Sequence, residues 1–127
     1  MKITAVLPSE STNNGHNYSP EREMIAAYNV VAHGNGKLHA PITLRIYSPR
    51  RNNSGTFYAS VWIHGGDHSY AGHAKGKWSS QEAVAQHAIQ SSGITLSHSL
   101  NGYSDVIDAL EAIATALGYE QFMVVRN

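Results

Sequence analysis

The sequence predicts an α+β two-layer sandwich: a mainly antiparallel sheet of roughly three to five strands, built on a central hairpin at about 42–48 and 56–64, with about three helices packed on one face. Three observations carry it. Two runs alternate apolar and polar residues around a Pro/Asn/Gly connection, the mark of paired strands. The stretch "SDVIDALEAIATALG" (104–118) repeats apolar residues at helical spacing. A third run, from Ser79, opens with a capping signature. At 127 residues the chain fits one domain, 1–127, with enough length to bury an ordinary core.

In chain order, Ile3 to Leu7 reads as a short strand. The polar segment at 8–18, "PSESTNNGHNY", reads as a mobile loop. Ser19-Pro20 then offers an N-cap followed by proline at the first helical position. Met24, Ile25, Tyr28, Val31 and Ala32 share one helical face, so a helix is expected up to Gly34-Asn35-Gly36; Val30-Val31 keeps a strand over 28–33 as the competing reading. In the hairpin, Ile42, Leu44 and Ile46 alternate with Thr43, Arg45 and Tyr47. Beyond "SPRRNNSG", Phe57, Ala59, Val61 and Ile63 alternate with Tyr58, Ser60, Trp62 and His64.

Ser79-Ser80-Gln81-Glu82 forms the capping box, with the Ser79 hydroxyl taking the Glu82 amide. It opens a helix through Val84, Ala85, Ala88 and Ile89 that stops at Gly93. "GITLSHSL" is a short strand or extended connection. In the following helix Val106, Leu110, Ile113 and Leu117 form the stripe, Asp105 and Asp108 suit its N-terminus, and Gly118 supplies the C-cap. "QFMVV" (121–125) is an unbroken apolar run, which suits an inner strand.

Composition removes several function classes. The chain has no cysteine, which excludes disulfide scaffolds, thiolate zinc sites, iron–sulfur clusters and cysteine nucleophiles. Nine basic and nine acidic residues balance to zero, so there is no general pull toward nucleic acid. "MKITAVLP" is too short for a signal peptide and no run approaches the ~20 apolar residues of a membrane span, so a soluble protein of the cytoplasm is expected.

Two surfaces carry candidate chemistry. "HGGDHSYAGHAKGKW" (64–78) reads as a glycine-rich loop between a strand and a helix, with His64, Asp67, His68, His73, Lys75 and Lys77 as ligand-binding candidates. Such a loop could hold a metal through its histidines or an anion through its amides and lysines. However, glycines oppose the helix that would converge His64 and His68, and the zincin glutamate is missing. "GHAKGKW" also departs from a phosphate loop, with Trp78 where Ser or Thr would hold magnesium. No Gly-x-Ser-x-Gly elbow occurs, and no cofactor, metal or catalytic residue is assigned.

The second surface is the outward face of the hairpin: Arg45, Tyr47, Tyr58 and Trp62, with Arg50 and Arg51 at its tip, form the partner-binding set. Aromatics beside a guanidinium are costly to leave in water, so either the chain's own segments or a partner covers them. Zero net charge makes nucleic acid the weaker fit; a protein partner or a homo-oligomer is the stronger.

"AYNVVAHGNGKLHAPITLRIY", "YASVWIHG", "AVAQHAIQSSGI" and "DALEAIATALGY" resemble small accessory proteins encoded by bacteriophages and prophages, over roughly residues 24 to 126. That family carries no assigned activity and no site residues to transfer. The resemblance implies a stoichiometric inhibitor or modulator of a host protein or nucleoprotein complex, anti-defence-like, working in the host cytosol. The other reading from the residues is a nucleotide- or metal-binding protein, with enzymatic use of the glycine-histidine segment left open.

Overall fold

The computed structural model describes residues 2–15, 23–34, 37–48, 56–77 and 80–127. Its elements in chain order are β1 (Ala5–Val6), β2 (Thr12–Asn13), β3 (Met24–Gly34), β4 (Lys37–Tyr47), β5 (Thr56–Gly65), β6 (His68–Lys77), α1 (Gln81–Ser91), β7 (Thr95–Leu96), α2 (Tyr103–Ala116) and β8 (Phe122–Arg126). Six strands form one sheet in the order β2-β6-β5-β4-β3-β8, parallel only between β2 and β6. β1 and β7 pair separately. Both helices lie on one face of the sheet, α1 against β5 and β6, α2 against β3, β8 and β1. The architecture is α+β, as the periodicities predict, with two helices among the described residues where about three were expected.

The central hairpin forms as its alternation requires. Ile42 pairs with Ile63, Leu44 with Val61 and Ile46 with Ala59, all buried toward the helices. Each large aliphatic there contributes roughly 1.5–3 kcal/mol by leaving water. Val84, Ile89, Leu110 and Ile113 close the core from the helix side.

The structure corrects several expectations. Residues 24–34 are strand β3, not helix. Ala26, Tyr28, Val30 and Ala32 alternate inward on the sheet, and pairing to both β4 and β8 outweighs the helical spacing of Met24, Ile25, Tyr28, Val31 and Ala32. Ser19 and Pro20, its expected cap, lie outside the described residues.

The glycine-histidine segment is not a loop either. After a two-residue turn at Gly66-Asp67, with Gly66 at φ +71°, it returns as β6 along the whole of β5. Gly72 has a tertiary reason: a Cβ there would run into the Ala88 carbonyl and the Ser92 amide of α1 and its cap, so glycine lets the helix sit on the strand.

The cap of α1 is Ser80, whose Oγ accepts the Ala83 amide at 3.1 Å. Ser79 lies outside the described residues. β8 is an edge strand rather than an inner one. Its apolar run covers the core with alternate residues, while Met123 stays 65% exposed.

Within the segment read as a loop at 8–18, Thr12 and Asn13 form β2, and residues 16–18 lie outside the described residues. Asn14 Nδ2 donates to the Ser91 carbonyl at 2.8 Å, Thr12 Oγ1 to that of Ser92, and Ser11 Oγ accepts the Ser69 amide at 3.1 Å. These bonds tie residues 11–14 to α1 and β6.

Candidate functional site

The helix-free face of the sheet is built by the residues that alternate away from the core. Cross-strand pairing sets them in rows: Ala27, Arg45, Ser60 and His73; then Asn29, Thr43, Trp62 and Ala71. The Thr43 hydroxyl donates to Asn29 Oδ1 at 3.1 Å, which fixes the middle of the second row. Rigid strands thus hold Arg45 and Trp62 at neighbouring positions of one surface, and both are exposed, Trp62 at 37%.

Tyr47 and Tyr58 point to the same face but are not accessible. Their rings lie 5.6 Å apart and are 4% and 3% exposed. The contact set expected from the sequence therefore narrows to Arg45 and Trp62 among the described residues. Arg50 and Arg51 lie outside them.

The chain also supplies part of its own cover. The backbone at Gly15 runs against the edge of the Trp62 indole, where a Cβ would come within 2.6 Å of the ring. His73 Nδ1 donates to the Asn14 carbonyl, so the segment leaving β2 lies over the rim of this face. An open cleft of about 300 Å³ remains beside it, lined by Trp62, His64, Ser69 and Ala71 on the sheet and by Ser11 and Asn13 on the covering segment.

The second residue set does not converge. His64 and His68 sit on opposite faces of the hairpin, since His64 pairs with Ser69 and the next position, Gly65, pairs with His68. The His68 ring stacks 6.4 Å from Tyr70 on the helix side, with Ser11 Oγ 3.3 Å from its Nδ1. Asp67 is exposed in the turn. His73 lies 6.1 Å from the Tyr58 ring on the outer face, and Lys75 is exposed there opposite Tyr58. Lys77 closes the β6 ladder through its backbone. Among the described residues no three metal-ligating side chains come together. Strand alternation, which a loop would lack, is the physical reason.

Sequence reasoning missed the charge arrangement. Residues 37–77 contain Lys37, Arg45, Arg50, Arg51, Lys75 and Lys77 against Asp67, six minus one, a net of +5. Residues 80–120 contain Glu82, Asp105, Asp108, Glu111 and Glu120 and no Lys or Arg, a net of −5. The two blocks cancel in the total but fall on different elements: Arg45 and Lys75 on β4 and β6, the acids on the helices and their connections. No acid occurs within β4, β5 or β6. Block-wise counting would have found this.

No helix among the described residues is long and apolar enough to cross a membrane. No family model, no curated protein and no solved structure matches this chain.

Proposed function

We propose that this chain is a binding protein that acts stoichiometrically, docking the outer face of its sheet on an acidic surface of a partner macromolecule. The observation that carries the reading is the exposed Trp62 beside Arg45 on strands that contain no acid. A large aromatic and a guanidinium, held rigidly with a polar rim of His64 and Thr43, have the composition of an interface anchor. Lys75 extends the positive charge along β6. The resemblance to phage accessory proteins makes a host protein or nucleoprotein complex the proposed partner, and no catalytic role is assigned to any residue.

The test is affinity capture from bacterial lysate with the wild type, Trp62→Ala and an Arg45→Glu/Lys75→Glu double variant. A specific partner should be lost with the charge reversal and weakened by more than about fivefold, or ~1 kcal/mol, in Trp62→Ala. The unfolding midpoints of these variants should stay close to wild type. A partner retained undiminished by the double variant overturns the proposal. Fluorescence anisotropy with labelled single-stranded DNA separates the nucleic-acid case, whose affinity falls steeply with salt.

The cleft beside Trp62 favours one second reading, a small planar ligand or nucleotide stacked on the indole. Its volume of about 300 Å³ stands at the lower limit for ligand pockets. A thermal-shift screen against nucleotides with no stabilisation removes it.

A further inference from the structure

We propose that β8 is a self-association edge, through which two copies of this chain pair antiparallel about a two-fold axis at Val124. The sheet ends differently on its two sides: on one, the two-residue β2 pairs with Tyr70 and Ala71 of β6; on the other, β8 ends the sheet along five residues. The direction of its free groups follows from the ladder. Ala27 and Asn127 exchange both backbone bonds, at 3.2 and 2.8 Å, so Asn29–Val125 and Val31–Met123 are bonded pairs too. The N–H and C=O groups of Phe122, Val124 and Arg126 therefore point away from β3. Among the described residues none pairs with them.

Open edges are ordinarily blunted by proline, a bulge or an outward charge. Residues 122–126 have no proline and no acid, and their one cation, exposed on the helix side, is held by Arg126 Nε donating to the Tyr28 hydroxyl at 3.0 Å rather than projecting along the edge. The edge is bare.

The occupant that fits it best is a second β8, because the pattern of outward groups is complementary to itself. Val124 can exchange both bonds with Val124 of the partner subunit, while Phe122 and Arg126 do the same with Arg126 and Phe122 of the partner subunit. On the outer face this sets Met123 beside the partner subunit's Val125. There Met123, 65% exposed, and Leu38, 63% exposed, line an apolar groove of about 370 Å³ with Val31. The pairing removes part of that groove from water. On the helix side it sets Arg126 of the partner subunit next to Phe122.

The test is sedimentation equilibrium of the full chain from low micromolar to near-millimolar concentration, comparing wild type with Val124→Pro and Met123→Lys. The Val124 amide points outward, so proline there removes a donor that only the dimer uses; lysine at Met123 adds a repelling charge beside the axis. The wild type should rise toward twice its 13.8 kDa mass, and both variants should stay at the single-chain mass with near-native unfolding midpoints. A wild type that stays monomeric over the whole range overturns the proposal. So does a dimer that survives Met123→Lys, including one dispersed only by Trp62→Ala, which would place the contact on the outer face. Should Val124→Pro fail to fold, Met123→Lys decides alone. This inference stands apart from the reading of the outer face, since its variants leave Arg45 and Trp62 untouched.

Discussion

Replacing Gly72 by alanine should destabilise the protein strongly, although alanine in an open strand is normally the better residue by roughly 0.5–1 kcal/mol. The added methyl would overlap the Ala88 carbonyl oxygen, the Ser92 amide and the Ser91 carbonyl carbon. These are backbone atoms of α1 and its cap, so no side-chain rotation relieves the clash; the helix must move away by about an ångström. Overpacking of this kind costs about 1–3 kcal/mol. The shift also loosens Val84 and Ile89, which α1 buries against the sheet. A gap of 0.5–1 Å forfeits a quarter to a half of each contact, adding roughly 1 kcal/mol. A total of about 2–4 kcal/mol lowers the midpoint of a domain this size by roughly 10 °C. Thermal unfolding followed by circular dichroism measures it against the wild type. If Gly72→Ala melts with the wild type, the backbone of α1 does not rest on that of β6, and the account of why this strand carries glycine is wrong.

Two smaller effects follow from single bonds. Tyr28→Phe should cost about 1 kcal/mol or slightly more in urea unfolding, because the buried hydroxyl accepts from Arg126 Nε at 3.0 Å and the charged donor loses its partner; an unchanged urea midpoint would show that water replaces the bond freely. Ser80→Ala should cost about 1 kcal/mol by freeing the Ala83 amide, and Ser80→Asp should restore most of it; an equal loss in both variants would count against a capping role.

The parts of the fold that could be read from the sequence are those whose stabilising contacts are local in the chain. The β4–β5 hairpin repeats with period two because Ile42, Leu44 and Ile46 face Ile63, Val61 and Ala59 across a short connection. The stripe of α2 packs a single face, so its spacing is unambiguous. β3 was not readable in the same way, since Tyr28 and Ala32 satisfy both periods, Val31 fits only the helical one and Val30 only the strand one, and its two neighbours decide. Gly72 and Gly76 suggested a loop because nothing near them in sequence announces a helix resting on the strand; the Gly66-Asp67 pair between alternating runs was the one local hint of a turn. At the candidate site, alternation correctly sent Trp62 away from Val61 and Ile63. The burial of Tyr47 and Tyr58 is a tertiary property that strand alternation does not carry, and summing charge over the full length hid an arrangement that follows secondary structure.

The strand order also bears on how the molecule is made. β3 to β6 follow one another in space as they do in sequence, so this meander can zip up by successive hairpins while the rest of the chain is still unfolded. β8 reaches its place by closing a far longer loop, Val30 meeting Val124 across 124 − 30 = 94 residues. Until that closure, the flank of β3 that β8 will occupy stays bare, and so do Val30 and Tyr28 before α2 settles on them. A nascent chain in that condition offers sticky β-structure to any neighbour, which makes the slow arrival of the last strand, rather than the final stability, the stage at which crowded synthesis would lose this protein to aggregates.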